Sequence, residues 1–201
     1  MSVGTAPLHS AYAQAGFRRW SVAEYHRFIE LGILNEDDRV ELLEGNVVNK
    51  MSINPRHAAA VVSLSELLIQ SGIIGWHVRA QQPVTLVDSE PEPDLVLARG
   101  TWRTYTKRHP VTSDLGLIVE VSDTSLSIDR TDKGRIYAAA GIACYWVVNV
   151  VDQQIEVYTS PGNAGSAAAY ASRTDYKIGD SIPLVLDGTQ VATFSVAEIV
   201  G

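Results

Sequence analysis

Pro93-Asp94-Leu95-Val96-Leu97-Ala98 and Leu115-Gly116-Leu117-Ile118-Val119-Glu120-Val121-Ser122 are the two stretches on which the fold turns. Both are short apolar runs rich in Val, Ile and Leu, the pattern of buried strands. Each carries one acid at an end: Asp94 opens the first run and Glu120 comes near the close of the second. An ionised carboxylate inside such a strand costs several kcal/mol, of the order of 3–5, unless it is paired or binds a cation. If the two strands are antiparallel neighbours, the start of one lies beside the end of the other and the acids meet. Two carboxylates meeting at a sheet end make a site for a hard divalent cation such as Mg²⁺.

Outward from this pair, the chain alternates helical and strand patterns. Ser21-Val22-Ala23-Glu24 is a capping box before the amphipathic stretch Tyr25 to Leu31, with Gly32 as its stop. Arg39 to Val48 reads as a β-hairpin turning near Gly45-Asn46. Pro55 starts a second helix through about Gln70, with Ala59, Val62, Leu64, Leu67 and Leu68 as its apolar residues. Trp76 to Ala80 and Pro83 to Val87 read as two short strands, or as one strand interrupted by a bulge. Ser89 to Pro93 is an extended connector, since each proline biases its predecessor away from helix. A helix follows from about Ile128 to Ala140, stopped at Gly141. Strands are expected at Ala143–Val150, Gln154–Tyr158, near Ala168 and at Ile182–Leu186. A flexible Gly/Ala/Asn/Ser loop spans 162–169, and a short helix starts at Ser195. This order gives an α+β or mixed α/β sheet with helices alongside.

Length and composition fit one domain. The 201 residues suffice for a sizeable core, and 46% hydrophobic with 19% charged residues is ordinary for a globular protein. Residues 1–18 read as a flexible lead-in without the basic-then-apolar pattern of a secretory signal, leaving 19–201 as the domain. The longest apolar stretch, Ile142 to Val148, is far short of a membrane span of about 20 residues. The single cysteine, Cys144, forms no internal disulfide and sits in an apolar strand; this fits an inert core thiol and a reducing cytoplasm. A net charge of −7 argues against a strong non-specific grip on nucleic acid, without excluding a nuclease. Arg99, Arg103, Lys107, Arg108 and His109 form a loose basic cluster, which as such reads as a solvated face.

The candidate chemistry rests on a few side chains. Asp94 alone would more often be a turn or cap residue. Glu120 is harder to explain, because it interrupts Leu117-Ile118-Val119 and Val121 and shares the face of Ile118. Asp129, Lys133 and Tyr137, at four-residue intervals, occupy one sector of the following helix. Asp129 and Lys133 fit a surface ion pair equally well; the alternative places Lys133 near the carboxylates. Glu41 lies between apolar neighbours and is a further acid for the site, while Glu44 reads as solvated. His57 suits a helix start or a phosphate contact, and Gln82 is a weaker polar candidate. No Cys/His spacing suggests zinc, and neither a glycine-rich phosphate loop nor a Ser-His-Asp arrangement is present.

Taken in order, Glu41-Leu-Leu-Glu-Gly45, His57, Pro93-Asp94-Leu, Glu120-Val121-Ser122, Asp129-x3-Lys133-x3-Tyr137 and Gly141-Ile-Ala-Cys-Tyr145-Trp146-Val-Val resemble the bacterial restriction endonuclease domain family of Uma-two type. That family belongs to the PD-(D/E)XK nuclease superfamily, and the resemblance runs from about Trp20 to the C-terminus. It implies a restriction-endonuclease-like central mixed sheet flanked by helices. It further implies Asp94 and Glu120 as ligands of Mg²⁺ or Mn²⁺, Glu41 as the supporting acid, and DNA as the substrate. One departure stands out: the lysine expected two residues after the second acid is replaced by Ser122. Lys133 resembles that lysine, relocated to the next helix. A two-fold duplex substrate, with apolar strands late in the chain, is the ground for expecting a homodimer.

Overall fold

The computed structural model describes residues 18–201, so the expected lead-in lies outside the described residues apart from Arg18. Six strands form the central sheet: β3 (Trp76–Ala80), β4 (Leu95–Arg99), β5 (Leu115–Ser122), β6 (Cys144–Asn149), β7 (Gln154–Gly162) and β8 (Ala169–Lys177), in sequence order. Only β5 and β6 run parallel, joined by helix α3 (126–139). This crossover makes the sheet mixed, because parallel neighbours need a long connection that packs back on the sheet. Strands β4, β5 and β6 are buried on both faces almost throughout, which is why they read as unbroken apolar runs.

Two cores flank the sheet. On one face, Leu95, Leu97, Leu117, Val119, Trp146 and Val148 pack against helix α2 (Pro55–Gln70), the antiparallel pair β9 (Ser181–Leu186) and β10 (Thr189–Ser195), and the C-terminal helix α4 (Val196–Val200). On the other, Val96, Ile118, Tyr145 and Val147 pack against Ile136 and Tyr137 of α3, with Val84, Leu86 and Tyr105. The N-terminal helix α1 (Val22–Glu30) carries the expected capping box, and the hairpin β1 (Val40–Leu43) and β2 (Asn46–Asn49) docks through a bridge from Leu42 to Glu90.

Several local expectations are corrected. The hairpin turns at Glu44-Gly45, both at positive φ, one residue earlier than expected; Gly45 is required there because a Cβ would also meet Arg19 and Trp20. The buried face of α2 is Ala60, Val61, Leu64 and Leu68, with Leu67 packed at its edge; the three leucines are as expected, whereas Ala59 and Val62 are exposed and Ala60 and Val61 take their place. Pro83–Val87 is not a ladder strand. Gln81 at φ 50° turns the chain outward, and only Thr85 bridges, in parallel, to Val111. The 162–169 segment is shorter as a loop than expected, since β7 runs on to Gly162 and a single 3₁₀ turn leads into β8. Strand β10 was not anticipated, although its turn Asp187-Gly188 carries the hairpin signature with both residues at positive φ. Cys144 is buried, and burial pushes its thiol up to about 12.

Candidate active-site cleft

Strands β4 and β5 are antiparallel, with Leu95 opposite Val119. One step further along this register sets Asp94 opposite Glu120, the juxtaposition anticipated from the two apolar runs. At that point β4 no longer supplies a backbone acceptor, and the Val121 N–H donates instead to Asp94 Oδ2 at 2.8 Å. The other carboxylate oxygen, Oδ1, lies 2.9 Å from His57 Nε2 in the first turn of α2. Asn54 caps that turn through the His57 N–H and reaches Asp123 with its amide at 2.7 Å. His57 is thus more than a helix-start residue: it fixes the rotamer of Asp94. Its hydrogen bond with Asp94 raises its pKa above the usual imidazole range, against an opposing effect of burial.

Glu120 is 3% exposed and receives two donors on one oxygen: the Tyr137 hydroxyl at 2.6 Å and Lys133 Nζ at 3.0 Å. Lys133 also stands 3.4 Å from Glu41 Oε1, while Glu41 Oε2 accepts the Glu92 N–H at 3.0 Å. Lys133, Glu120, Glu41 and Tyr137 therefore form one connected group. Burial lifts the Glu120 carboxyl well above the usual range; the Lys133 ammonium opposes this, and the carboxylates of Asp129, Asp94 and Glu41 add to it. Burial alone would lower Lys133, but Glu120, Glu41 and Asp129 together outweigh it and hold the ammonium firmly protonated. Several acids thus share one lysine.

Helix α3 explains how a lysine thirteen residues after Glu120 reaches it. The helix spans 126–139, with α-helical ends around a π turn, Asp129–Lys133. Within that turn the Asp129 carbonyl accepts the Gly134 N–H five residues on, and also the Tyr145 hydroxyl at 3.0 Å from β6. π turns insert one residue into a helix and often mark functional sites. The consequence here is that Asp129 and Lys133 do not pair with each other. The Asp129 carboxylate turns to the hydroxyls of Ser122 (2.6 Å) and Ser125 (2.5 Å), while Lys133 turns to Glu120 and Glu41. Ser122, at the position of the missing lysine, is occupied in holding Asp129.

These residues line a cleft of about 660 Å³ between the β1–β2 hairpin, the start of α2 and the π turn. Glu41, His57, Asp94, Glu120, Asp129 and Lys133 all border it. Tyr137 touches Glu120 from below, in the core. Gln82 is exposed and outside the cleft; its neighbour Gln81 lines it instead. Glu44 is not freely solvated, for Arg135 binds it with both terminal nitrogens and holds its carboxyl below the usual range. Residues not singled out from sequence include Asn54, Asp123 and the Lys50–Glu92 pair at 2.6 Å. The one available signal was the Glu-Pro-Glu-Pro-Asp run at 90–94, whose second acid faces the cleft.

As a metal centre the cleft is open rather than closed. Among the described residues no group of three or more His, Cys, Asp or Glu side chains stands ready to enclose one ion. It offers hard oxygen donors, two carboxylates in register and a third beyond the lysine. Such a partial shell would hold a hard divalent cation only together with several water or substrate oxygens.

Comparison with known proteins accords with this architecture. The fold is similar to that in the crystal structure of a "putative nuclease belonging to DUF820" from Anabaena variabilis ATCC 29413, with a TM-score of 0.63 at 12% identity, covering 85% of this chain and 94% of that one. At that identity the likeness concerns the fold. No curated protein matches the chain. Among the described residues no helix is long and apolar enough to cross a membrane. The family model described as "Putative restriction endonuclease", Uma2, matches residues 22–192, and the chain belongs to that family.

Proposed function

We propose that the protein is a divalent-metal-dependent endonuclease that hydrolyses phosphodiester bonds of DNA in the Lys133 cleft. The observation that carries this reading is the convergence of Glu120 and Glu41 on one buried ammonium, with Asp94 opposite Glu120 in the β4–β5 register, in an open cavity, within a nuclease family. Asp94 and Glu120 would hold Mg²⁺ or Mn²⁺, with Glu41 as the supporting acid. When bound, the ion supplies charge neutralisation at the phosphate and acidifies a bound water. His57 and the Val121 N–H keep Asp94 turned toward the cleft. Tyr137 orients Glu120 from the core side. Lys133, charged at any working pH, stabilises the negative charge that develops on the phosphate oxygens. The test is cleavage of mixed DNA substrates on addition of Mg²⁺ or Mn²⁺, comparing wild type with the Asp94→Ala/Glu120→Ala double variant.

A second reading, a catalytically silent nuclease-like module that binds nucleic acid or a protein, is favoured by the charge of the cleft walls. Eight carboxylates line the cleft against four Lys and Arg side chains, and three of those four are already paired with acids. A polyanion would enter such a cleft only with cations. Metal binding without cleavage of any substrate would favour the module.

A further inference from the structure

Outside the cleft, one charged side chain is buried without explanation. Arg79 on β3 is 9% exposed, yet among the described residues it has no ion pair, and its Nε has no hydrogen-bond partner. Residues 1–17 contain no Asp or Glu that could pair with it. The guanidinium instead lies 5.4 Å from the centroid of Tyr105, which His77 also stacks against and Arg108 approaches at 5.3 Å. Burial depresses the Arg79 pKa, and no carboxylate offsets it. His77 Nδ1 beside it is likewise buried and unpartnered. A buried unpaired guanidinium is costly, and its planar fork is the group best shaped for a phosphate.

We propose that Arg79 anchors a second, phosphate-binding site, which takes a backbone phosphate of a nucleic-acid strand. Its surroundings favour that source. Residues 99–109 hold Arg99, Arg103, Lys107 and Arg108 and no acid; Arg99 is paired with Asp187 and Arg108 with Asp114 from outside the segment, which leaves Arg103 and Lys107 without an ion pair among the described residues. Further along the β3 edge, beside Trp76 and the end of α2, Trp102 is 62% exposed with Arg103 over its ring at 4.6 Å, a platform on which the next base of a bound strand can stack. Arg79 pairs in register with Val96, two residues along β4 from Asp94, and so shares the sheet face of Asp94 and Glu120 at a separation of roughly 7 Å along the strand. Arg79 does not line the cleft itself. The acidic cleft thus has a cationic neighbour able to hold the strand that the cleft walls alone would repel.

The test uses the full chain in EDTA, so that it is independent of cleavage. Binding of a fluorescent DNA oligonucleotide is followed by anisotropy over a salt series for wild type, Arg79→Met and Arg79→Lys, with folding checked by circular dichroism and melting. A parallel arm measures the melting shift caused by inorganic phosphate against chloride at equal ionic strength. Arg79→Met is expected to weaken DNA binding about tenfold and to reduce the salt slope by about one. Arg79→Lys, which keeps the stem and charge but not the fork, should lose several-fold, and phosphate should raise the melting temperature of wild type only. A phosphate response that depends on Arg79, with DNA binding unaltered, would keep the anion site and overturn the nucleic-acid strand as its ligand. DNA affinity and phosphate response both unchanged in folded variants would overturn the site itself. Either result leaves the reading of the Lys133 cleft where it stands.

Discussion

Lys133 Nζ meets Glu120 Oε1 at 3.0 Å from a different secondary-structure element, across the β5–α3 turn. The pair is buried, and the lysine is the one cation shared among Glu120, Glu41 and, at longer range, Asp129. Removing it leaves Glu120 desolvated and without its cation, so that the carboxyl is driven further toward its neutral form. Lys133→Met should lower stability by about 3 kcal/mol, read by chemical denaturation at neutral pH. Lys133→Met combined with Glu120→Gln should recover most of that loss. A single variant as stable as wild type would show that the pair contributes nothing.

His57 acts through Asp94. Groups that orient a metal-binding carboxylate typically change affinity by about 10–100-fold when removed. His57→Ala should therefore weaken Mn²⁺ binding at least about tenfold in a calorimetric titration, with the melting temperature little altered. Equal affinity in the two proteins would mean that Asp94 is held by the Val121 amide alone.

Glu156 ties part of the fold's stability to acid pH. Burial would raise this carboxyl, but hydrogen bonds from Arg130, Tyr158 and Asn149, with Arg173 close by, bring it down to about 2. A depressed carboxyl stabilises the fold fully above its unfolded value of 4.5 and loses that contribution as pH falls toward 2. The stake is about 3 kcal/mol. Wild type should destabilise steeply over that window, and Glu156→Gln should show a shallower slope there. Parallel slopes would contradict the assignment.

Gly116 is a packing glycine in β5. A Cβ built there would stand 2.4 Å from the Trp76 ring and 2.9 Å from Leu186. Gly116→Ala should cost about 1–3 kcal/mol, with a change in tryptophan fluorescence. A neutral result would mean that Trp76 yields freely.

The sheet was legible because its central strands are buried on both faces, and continuous apolar runs broken by single acids are rare enough to read. The meeting of Asp94 and Glu120 followed from antiparallel pairing alone. Helix α2 was placed by Pro55 to the residue, and its leucines marked the buried face, but the choice among its alanines and valines was misjudged, since they occur all round it. The separation of Asp129 from Lys133 was not legible. The π turn leaves the Asp129 carbonyl to accept the Tyr145 hydroxyl from a strand sixteen residues on, and no local pattern encodes that contact. The link from His57 to Asp94 was similarly hidden, because it joins two elements whose proximity only the packed sheet creates. The basic cluster at 99–109 looked like a plain solvated face; only the buried, unpaired Arg79 beside it gives that face a use.

The central claim is that Asp94 and Glu120 form a working metal-dependent nuclease centre, and Asp94→Ala is the most direct probe. Purified wild type and variant are incubated with a mixture of duplex, single-stranded and flap DNA, with Mg²⁺ or Mn²⁺ and with EDTA. Wild type should cleave at least one substrate with metal and none with EDTA, and Asp94→Ala, still folded, should cleave none. Unchanged metal-dependent cleavage by the variant would contradict the account.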